Sequence, residues 1–84
     1  MNSVNWSRKA VKQLLRLDGR HQAQVRDAVG ELSRMPDCRH VKALNNHTYG
    51  YRLRVGNYRV LFDWDGEIRI VAVQEVKKRD ERTY

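Results

Sequence analysis

Three arginines, Arg52, Arg54 and Arg59, fall within YRLRVGNYRVLF (51–62), and no acid accompanies them between positions 49 and 60. The segment alternates. Tyr49, Tyr51, Leu53 and Val55 interleave with Gly50, Arg52 and Arg54; after Gly56-Asn57, Tyr58, Val60, Phe62 and Trp64 interleave with Arg59, Leu61 and Asp63. Gly-Asn between two alternating runs signals a two-residue hairpin. Such a loop opposes Val55 to Tyr58, Arg54 to Arg59 and Leu53 to Val60, which gathers the apolar side chains on one face and the guanidiniums on the other. Like charges directly opposed on a sheet cost ~0.2–1 kcal/mol, so something outside the segment must offset them. Guanidiniums stay protonated at any useful pH and present a planar fork that matches phosphate oxygens. Three on one strand pair make a platform for a phosphodiester. The competing explanation is that their stems cover apolar surface with solvated heads, or that Asp63, Asp80 or Glu81 pairs with them.

Other groups carry less pattern. His47 titrates near neutrality and is a chemically attractive base, but it shares with His40 the weakly patterned stretch PDCRHVKALNNHT (36–48), where nothing sets its direction. His21, His40, His47 and Cys38 have no metal-finger spacing, so neither a metal nor a disulfide is expected. The aromatics of 49–64 alternate with polar residues and are expected in the core or at its edge. The closing stretch KKRDERTY (77–84) concentrates Lys77, Lys78 and Arg79 before a terminal Tyr84.

The elements that must position these groups fit one domain, residues 1–84. Seventeen Lys and Arg against ten Asp and Glu give a formal charge of +7 on a chain that is 40% hydrophobic; it is basic yet core-forming, and its partner is expected to be a polyanion, an acidic protein or both. No apolar run reaches membrane-spanning length and MNSVNWSRK lacks a leader's apolar core, which points to a reducing cytosol. SVNW (3–6) alternates as a short strand, and Ser7 is placed to cap a helix over 8–17 with Ala10, Val11, Leu14 and Leu15 on one side. After Asp18-Gly19, a second helix over about 20–34 carries Val25, Ala28, Val29 and Leu32. Residues 36–48 read as a loop or single turn. Three strands follow, giving an α+β order of β-α-α-β-β-β, with the two helices packed on a small antiparallel sheet.

The last hairpin leaves its register open. A two-residue Asp65-Gly66 loop would put Ile68 and Ile70 on the arginine face beside Leu61, whereas a three-residue loop with a bulge would send Ile68, Ile70 and Ala72 to the core.

The two N-terminal helices, YRLRVGNYRVLF with its Gly-x-Tyr-Arg hairpin, the Asp-Gly turn and the closing EVKKRDERTY (75–84) together resemble the RelE branch of the RelE/ParE toxin superfamily, over nearly the whole chain. The resemblance implies a microbial-RNase-like fold and a ribosome-dependent endoribonuclease that cuts translated messenger without a cofactor and is held inactive by an acidic antitoxin that folds on binding. It further implies that Arg59 stabilises the phosphate in the transition state, that Arg52 contacts the scissile phosphate, and that Arg54 with Lys77 and Lys78 holds neighbouring RNA. The family's late cation followed by tyrosine falls on Lys78 or Arg79, with Arg79 favoured, and on Tyr84.

RNA cleavage of this type needs a base for the 2′-hydroxyl and cations for the charge that builds on the phosphoryl oxygens. Here the chain departs from the family pattern: Gly50 replaces the first of two strand lysines and Arg52 the second. An arginine cannot take the proton. Tyr84 is the first choice of base, lowered by surrounding cations, with Lys78 and His47 as alternatives. Two other functions share the scaffold: a gyrase-inhibiting toxin, and a catalytically weakened module that only binds RNA or antitoxin.

Overall fold

The computed structural model describes residues 1–79. Its elements are β1 (Ser3–Trp6), α1 (Arg8–Leu15), α2 (Gly19–Gly30), a 3-10 turn (Glu31–Arg34), β2 (Val41–Ala43), β3 (Tyr51–Val55), β4 (Tyr58–Asp65) and β5 (Ile70–Lys78). The two helices pack on one five-stranded sheet ordered β1-β5-β4-β3-β2. The α+β class holds, with two differences. The sheet is mixed, because β1 runs parallel to β5. Residues 41–43, expected in a loop, add an edge strand that pairs antiparallel with β3, Lys42 opposite Arg52. Three residues with a single buried-side apolar group are too short to show a period of two.

Ser7 caps α1, its hydroxyl accepting from the Ala10 N–H at 3.0 Å; Asp18 caps α2, its carboxylate accepting from the His21 N–H at 3.1 Å. The second helix keeps α geometry only to Gly30, where the chain tightens to 3-10. Glycine is the weakest helix former short of proline, and the tighter turn still buries Leu32.

The helix α1 also finishes the sheet. Strand β1 covers β5 only as far as Trp6 opposite Val73. Beyond that point the free edge of β5 is met by the Ser7 N–H on the Val73 carbonyl at 2.8 Å. The Ser7 hydroxyl donates to the Gln74 carbonyl at 2.9 Å, and the Val76 N–H donates to Gln13 Oε1 at 2.7 Å. Side chains thus replace a strand, and a buried sheet edge would otherwise leave these groups without partners.

Ala10, Leu14, Val25, Val29 and Leu32 from the helices bury against Leu53, Val55, Tyr58, Val60, Phe62, Val71, Val73 and Val76. Tyr51 stacks on Phe62 with centroids 5.4 Å apart, and Trp64 donates Nε1–H to Asn2 Oδ1 at 3.1 Å. The aromatics therefore meet the expectation of core or core edge, except Tyr49. It precedes the strand, which begins at Tyr51, and turns to the other face of the sheet.

The β3–β4 register is as the alternation requires, Val55 opposite Tyr58, Arg54 opposite Arg59 and Leu53 opposite Val60. Gly56 takes φ +54° as the first loop residue, the sign a II′ turn demands. Neither register considered for the last hairpin is the one adopted. Asp65 opposes Ile70 across a four-residue loop, 66–69, in which Arg69 has φ +57°, and a bulge falls between Leu61 opposite Glu75 and Phe62 opposite Val73. Val71 and Val73 thus face the core before the bulge and Val76 after it, while Ile68 stays 64% exposed in the loop.

Candidate nucleic-acid interface on the outer sheet face

The ladders place cations in rows on the face away from the helices. Arg54 opposes Arg59 and Arg59 opposes Lys77, so three cations from three strands form one row. In the next row Lys42 opposes Arg52, Arg52 opposes Leu61 and Leu61 opposes Glu75. Past the end of β5, the Arg79 N–H donates to the Asn57 carbonyl, which continues the ladder and puts Arg79 in step with Lys77. Side chains two apart on a strand share a face, so Arg79 is the diagonal neighbour of Arg59.

Arg59 is held for use as a fork. Its Nη1 donates to the Tyr58 carbonyl at 3.0 Å and to the Gly56 carbonyl at 3.4 Å. The Nε and Nη2 hydrogens, which form the side-on bidentate edge, have no partner among the described residues. No carboxylate among the described residues lies within ion-pair distance of Arg52, Arg54, Arg59 or Arg79. Asp63 does not pair with them: its Oδ1 accepts the Gly50 N–H at 2.8 Å and its Oδ2 the Gln74 Nε2–H at 3.3 Å. Asp80 and Glu81 lie outside the described residues, as does Tyr84. Arg52 is drawn toward the β2 edge, Nη1 donating to the His40 carbonyl at 3.3 Å while its buried Nε has no hydrogen-bond partner.

The remaining residues singled out in the sequence separate by face. Lys78 opposes Tyr58, whose ring is in the core, and it lines a groove on the helix side with Gln13, Arg16 and Leu17. The fold therefore aligns Arg54, Arg59 and Lys77 in one row with Arg79 at its end, sets Arg52 to one side, and leaves Lys78 between the helix-side groove and a cavity at the end of β5 that it lines together with Arg79, Asn57 and Tyr58. His47 Nδ1 accepts the Tyr49 N–H at 3.0 Å. His40 sits at φ +63° in the loop before β2. Cys38 donates to the Glu31 carbonyl at 3.2 Å, and burial pushes its thiol pKa up, away from the reactive thiolate.

One member of this face was not recognised in the sequence. Glu75 is only 8% exposed, with Oε1 3.3 Å from Lys9 Nζ and 3.7 Å from Lys77 Nζ. Burial alone would raise its pKa, but the hydrogen bonds from Lys9 and Tyr49 and the charges of Lys77 and Lys9 outweigh it and hold the carboxyl below the ordinary glutamate value. Tyr49 moves the opposite way, raised first by burial and then by its bond to Glu75, and so keeps its proton. Glu75 also brings Lys9 of α1 over to the sheet face. The available signal was an isolated acid between Ala72 and two lysines, legible only once the bulge reveals its face.

The arrangement can grip a phosphate through Arg59, Arg54 and Arg79 and keep a buried carboxylate nearby. Residues 4–82 match the family model described as ParE toxin of type II toxin–antitoxin system. The chain is similar to a chain of the toxin–antitoxin complex RelBE2 from Mycobacterium tuberculosis, at 32% identity and TM-score 0.81 over 93% of this chain and 98% of that one. The archaeal RelE–RelB complex from Pyrococcus horikoshii OT3 matches at 23% identity and TM-score 0.80, over 96% and 98% of the two chains. The isolated E. coli RelE toxin shares the fold at 20% identity and TM-score 0.77, over 99% and 88%. Curated proteins yield no match.

Proposed function

The chain belongs to the ParE toxin family, on the RelE branch of the RelE/ParE superfamily, and is the toxin of a type II toxin–antitoxin system; from that membership we propose that it is a ribosome-dependent messenger endoribonuclease. The observation that carries the reading is the row Arg54–Arg59–Lys77 with the bidentate edge of Arg59 unpartnered among the described residues. Two directly opposed guanidiniums with no carboxylate within ion-pair distance among the described residues, Glu75 reaching only the Lys77 end of the row at 3.7 Å, fit an anionic ligand.

In this reading the messenger's 2′-oxygen attacks the adjacent phosphorus in line, and no metal takes part. Arg59 and Arg79 neutralise the charge that grows on the phosphoryl oxygens, and donors fixed in advance cost no reorganisation as that charge develops. Arg54 and Lys77 hold neighbouring backbone. Arg52 reaches the scissile phosphate by leaving the His40 carbonyl, and Tyr84 stacks on or deprotonates the substrate from the closing segment. Lys78 contacts RNA from the end of β5, beside Arg79. The partners are the ribosome with its messenger, in the cytoplasm, and an acidic antitoxin that folds over the cationic face. The neighbouring complexes with RelB support that partnership. Among the described residues no helix is long and apolar enough to cross a membrane.

Mapping RNA 5′ ends after a brief pulse of expression tests the proposal. New ends inside translated reading frames are expected. Intact messengers together with accumulated cleaved DNA–gyrase complexes would select the gyrase-inhibiting alternative, and blocked translation without new ends the binding-only one.

A further inference from the structure

Attack by a 2′-hydroxyl requires a group that is unprotonated at neutral pH and lies on the same surface as the phosphate cations. Arginine cannot serve, and Gly50 has no side chain. Asp63 lies four residues along β4 from Arg59, opposite Ala72, too far along the strand to share a phosphate with it. Among the described residues of this face Glu75 remains, and Tyr84 then keeps only the stacking role. It lies on the outer face, two residues from Lys77 on β5, and Lys77 directly opposes Arg59. That makes Glu75 the diagonal neighbour of Arg59, at a separation of roughly 7–8 Å between backbones, which long side chains and a bound nucleotide can span. A carboxylate offers about four lone-pair sites. Lys9 and the Tyr49 hydroxyl take two and Lys77 stands off at 3.7 Å, so the carboxylate keeps a site for a substrate proton.

We propose that Glu75 is the general base of the cleavage reaction, and that Lys77 switches it on by leaving the carboxylate for the bound phosphate. The inference rests on the nuclease reading and supplies the group that the departures at Gly50 and Arg52 remove. In the free protein two ammoniums and a phenol make the carboxylate a weak base. Lys77 is the looser of its two cations, 3.7 Å from Oε1 against 3.3 Å for Lys9. A phosphate seated on Arg59 competes for Lys77 across the ladder. As Lys77 moves, Glu75 loses a cation and gains an anionic neighbour, and both changes raise its proton affinity. The base strengthens when substrate is in place.

The step balances without a further reactant except water. The 2′-O–H bond breaks and its proton goes to Glu75. The 2′-oxygen forms a bond to phosphorus, and the bond from phosphorus to the 5′-oxygen breaks with its electron pair on that oxygen. The leaving oxygen takes a proton from solvent, and Glu75 later returns its own to water. The products are a 2′,3′-cyclic phosphate and a 5′-hydroxyl end.

The test is single-turnover cleavage of a defined messenger on translating ribosomes by the wild-type chain, Glu75→Gln, Glu75→Asp and Lys77→Ala, across a range of pH. Groups that titrate around Glu75 are Lys9 from α1, Lys77 from β5, Tyr49 from the preceding loop and Asp63 from β4, with Arg52 and Arg59 as fixed cations. Glu75→Gln should cut about 10²–10⁴-fold more slowly, as removal of a general base does, while binding ribosomes at least as tightly because a negative charge is lost. Glu75→Asp should retain part of the rate. The acid limb of the wild-type profile should vanish in Glu75→Gln and move to higher pH in Lys77→Ala, which leaves the carboxylate in place should Glu75→Gln fold poorly. A folded Glu75→Gln that cuts at the wild-type rate overturns the assignment. So does a loss explained by weaker ribosome binding, or an acid limb unmoved in Lys77→Ala. If the wild-type chain itself makes no new ends, the nuclease reading has failed, and not the choice of base within it.

Discussion

Arg54 and Arg59 oppose each other directly across the β3–β4 ladder, with Lys77 opposing Arg59 from β5. The fold aligns three like charges where none is needed to close the core; Asp63 is engaged by Gly50 and Gln74, Glu75 reaches only Lys77, at 3.7 Å, and Asp80 and Glu81 lie beyond residue 79. Replacing Arg54 with Glu makes an attractive pair with Arg59. The variant should be more stable by about 0.2–1 kcal/mol in urea denaturation, and less active against messenger because the Arg59 fork is then occupied. Stability and activity moving together would argue that the row serves packing.

The β5 edge is closed by α1 side chains. Gln13→Ala leaves the Val76 N–H without its acceptor and should cost about 1–3 kcal/mol, the penalty of an unsatisfied partly buried donor. Ser7→Ala removes both a helix cap and the bond to the Gln74 carbonyl and should cost about 1–2 kcal/mol. Amide exchange at Val76, followed by NMR, should quicken in Gln13→Ala well before global unfolding. Unchanged protection would place the edge contact outside the cooperative unit.

Glu75 also makes stability depend on pH. Its folded-state pKa lies below the unfolded one, so its contribution is complete above the ordinary glutamate value of about 4.3 and is lost as pH falls through the lower folded value. Below both values the unfolded chain no longer binds the extra proton. Wild type should therefore exceed Glu75→Gln in stability at neutral pH, with the gap closing under acid. Parallel pH profiles for the two proteins would contradict the ion-pair geometry.

Much of this was legible in the residues because alternation over 51–62 is strict and Gly56-Asn57 leaves one plausible loop length. The Arg54–Arg59 pairing followed directly. The continuous apolar run Ile70–Val73 erases the period of two, so its register depended on a bulge that only packing against Phe62 and Val76 selects. Glu75 was hidden for the same reason: its face, and so its contact with Lys9 from another element, depends on that bulge. Strand β2 escaped because three residues at a sheet edge draw their order from β3, through contacts such as the Arg54 N–H on the His40 carbonyl. At Gly50, read in the sequence as a departure from the family pattern, the structure adds that the N–H donates to Asp63 Oδ1.

Lys78 and Arg79, the two cations that spacing alone could not tell apart, share a cavity at the end of β5 but differ in backbone register. Arg79 is in step with Lys77, whereas Lys78 opposes the buried Tyr58. Arg79→Ala should lose most of its cleavage, on the order of 10²–10³-fold for one transition-state donor, and Lys78→Ala should affect binding to ribosomes more than the rate once bound. The reverse ranking in single-turnover assays would move the catalytic cation to the helix side of the sheet.

Arg59→Ala bears most directly on the nuclease proposal. One defined messenger, translated in a reconstituted system, is sampled for new 5′ ends with the wild-type chain and with Arg59→Ala at equal folded concentration and equal ribosome occupancy. Cleavage should be abundant with the first and nearly absent with the second. Full cleavage by the variant would show that the opposed guanidiniums of β3 and β4 do not perform the reaction.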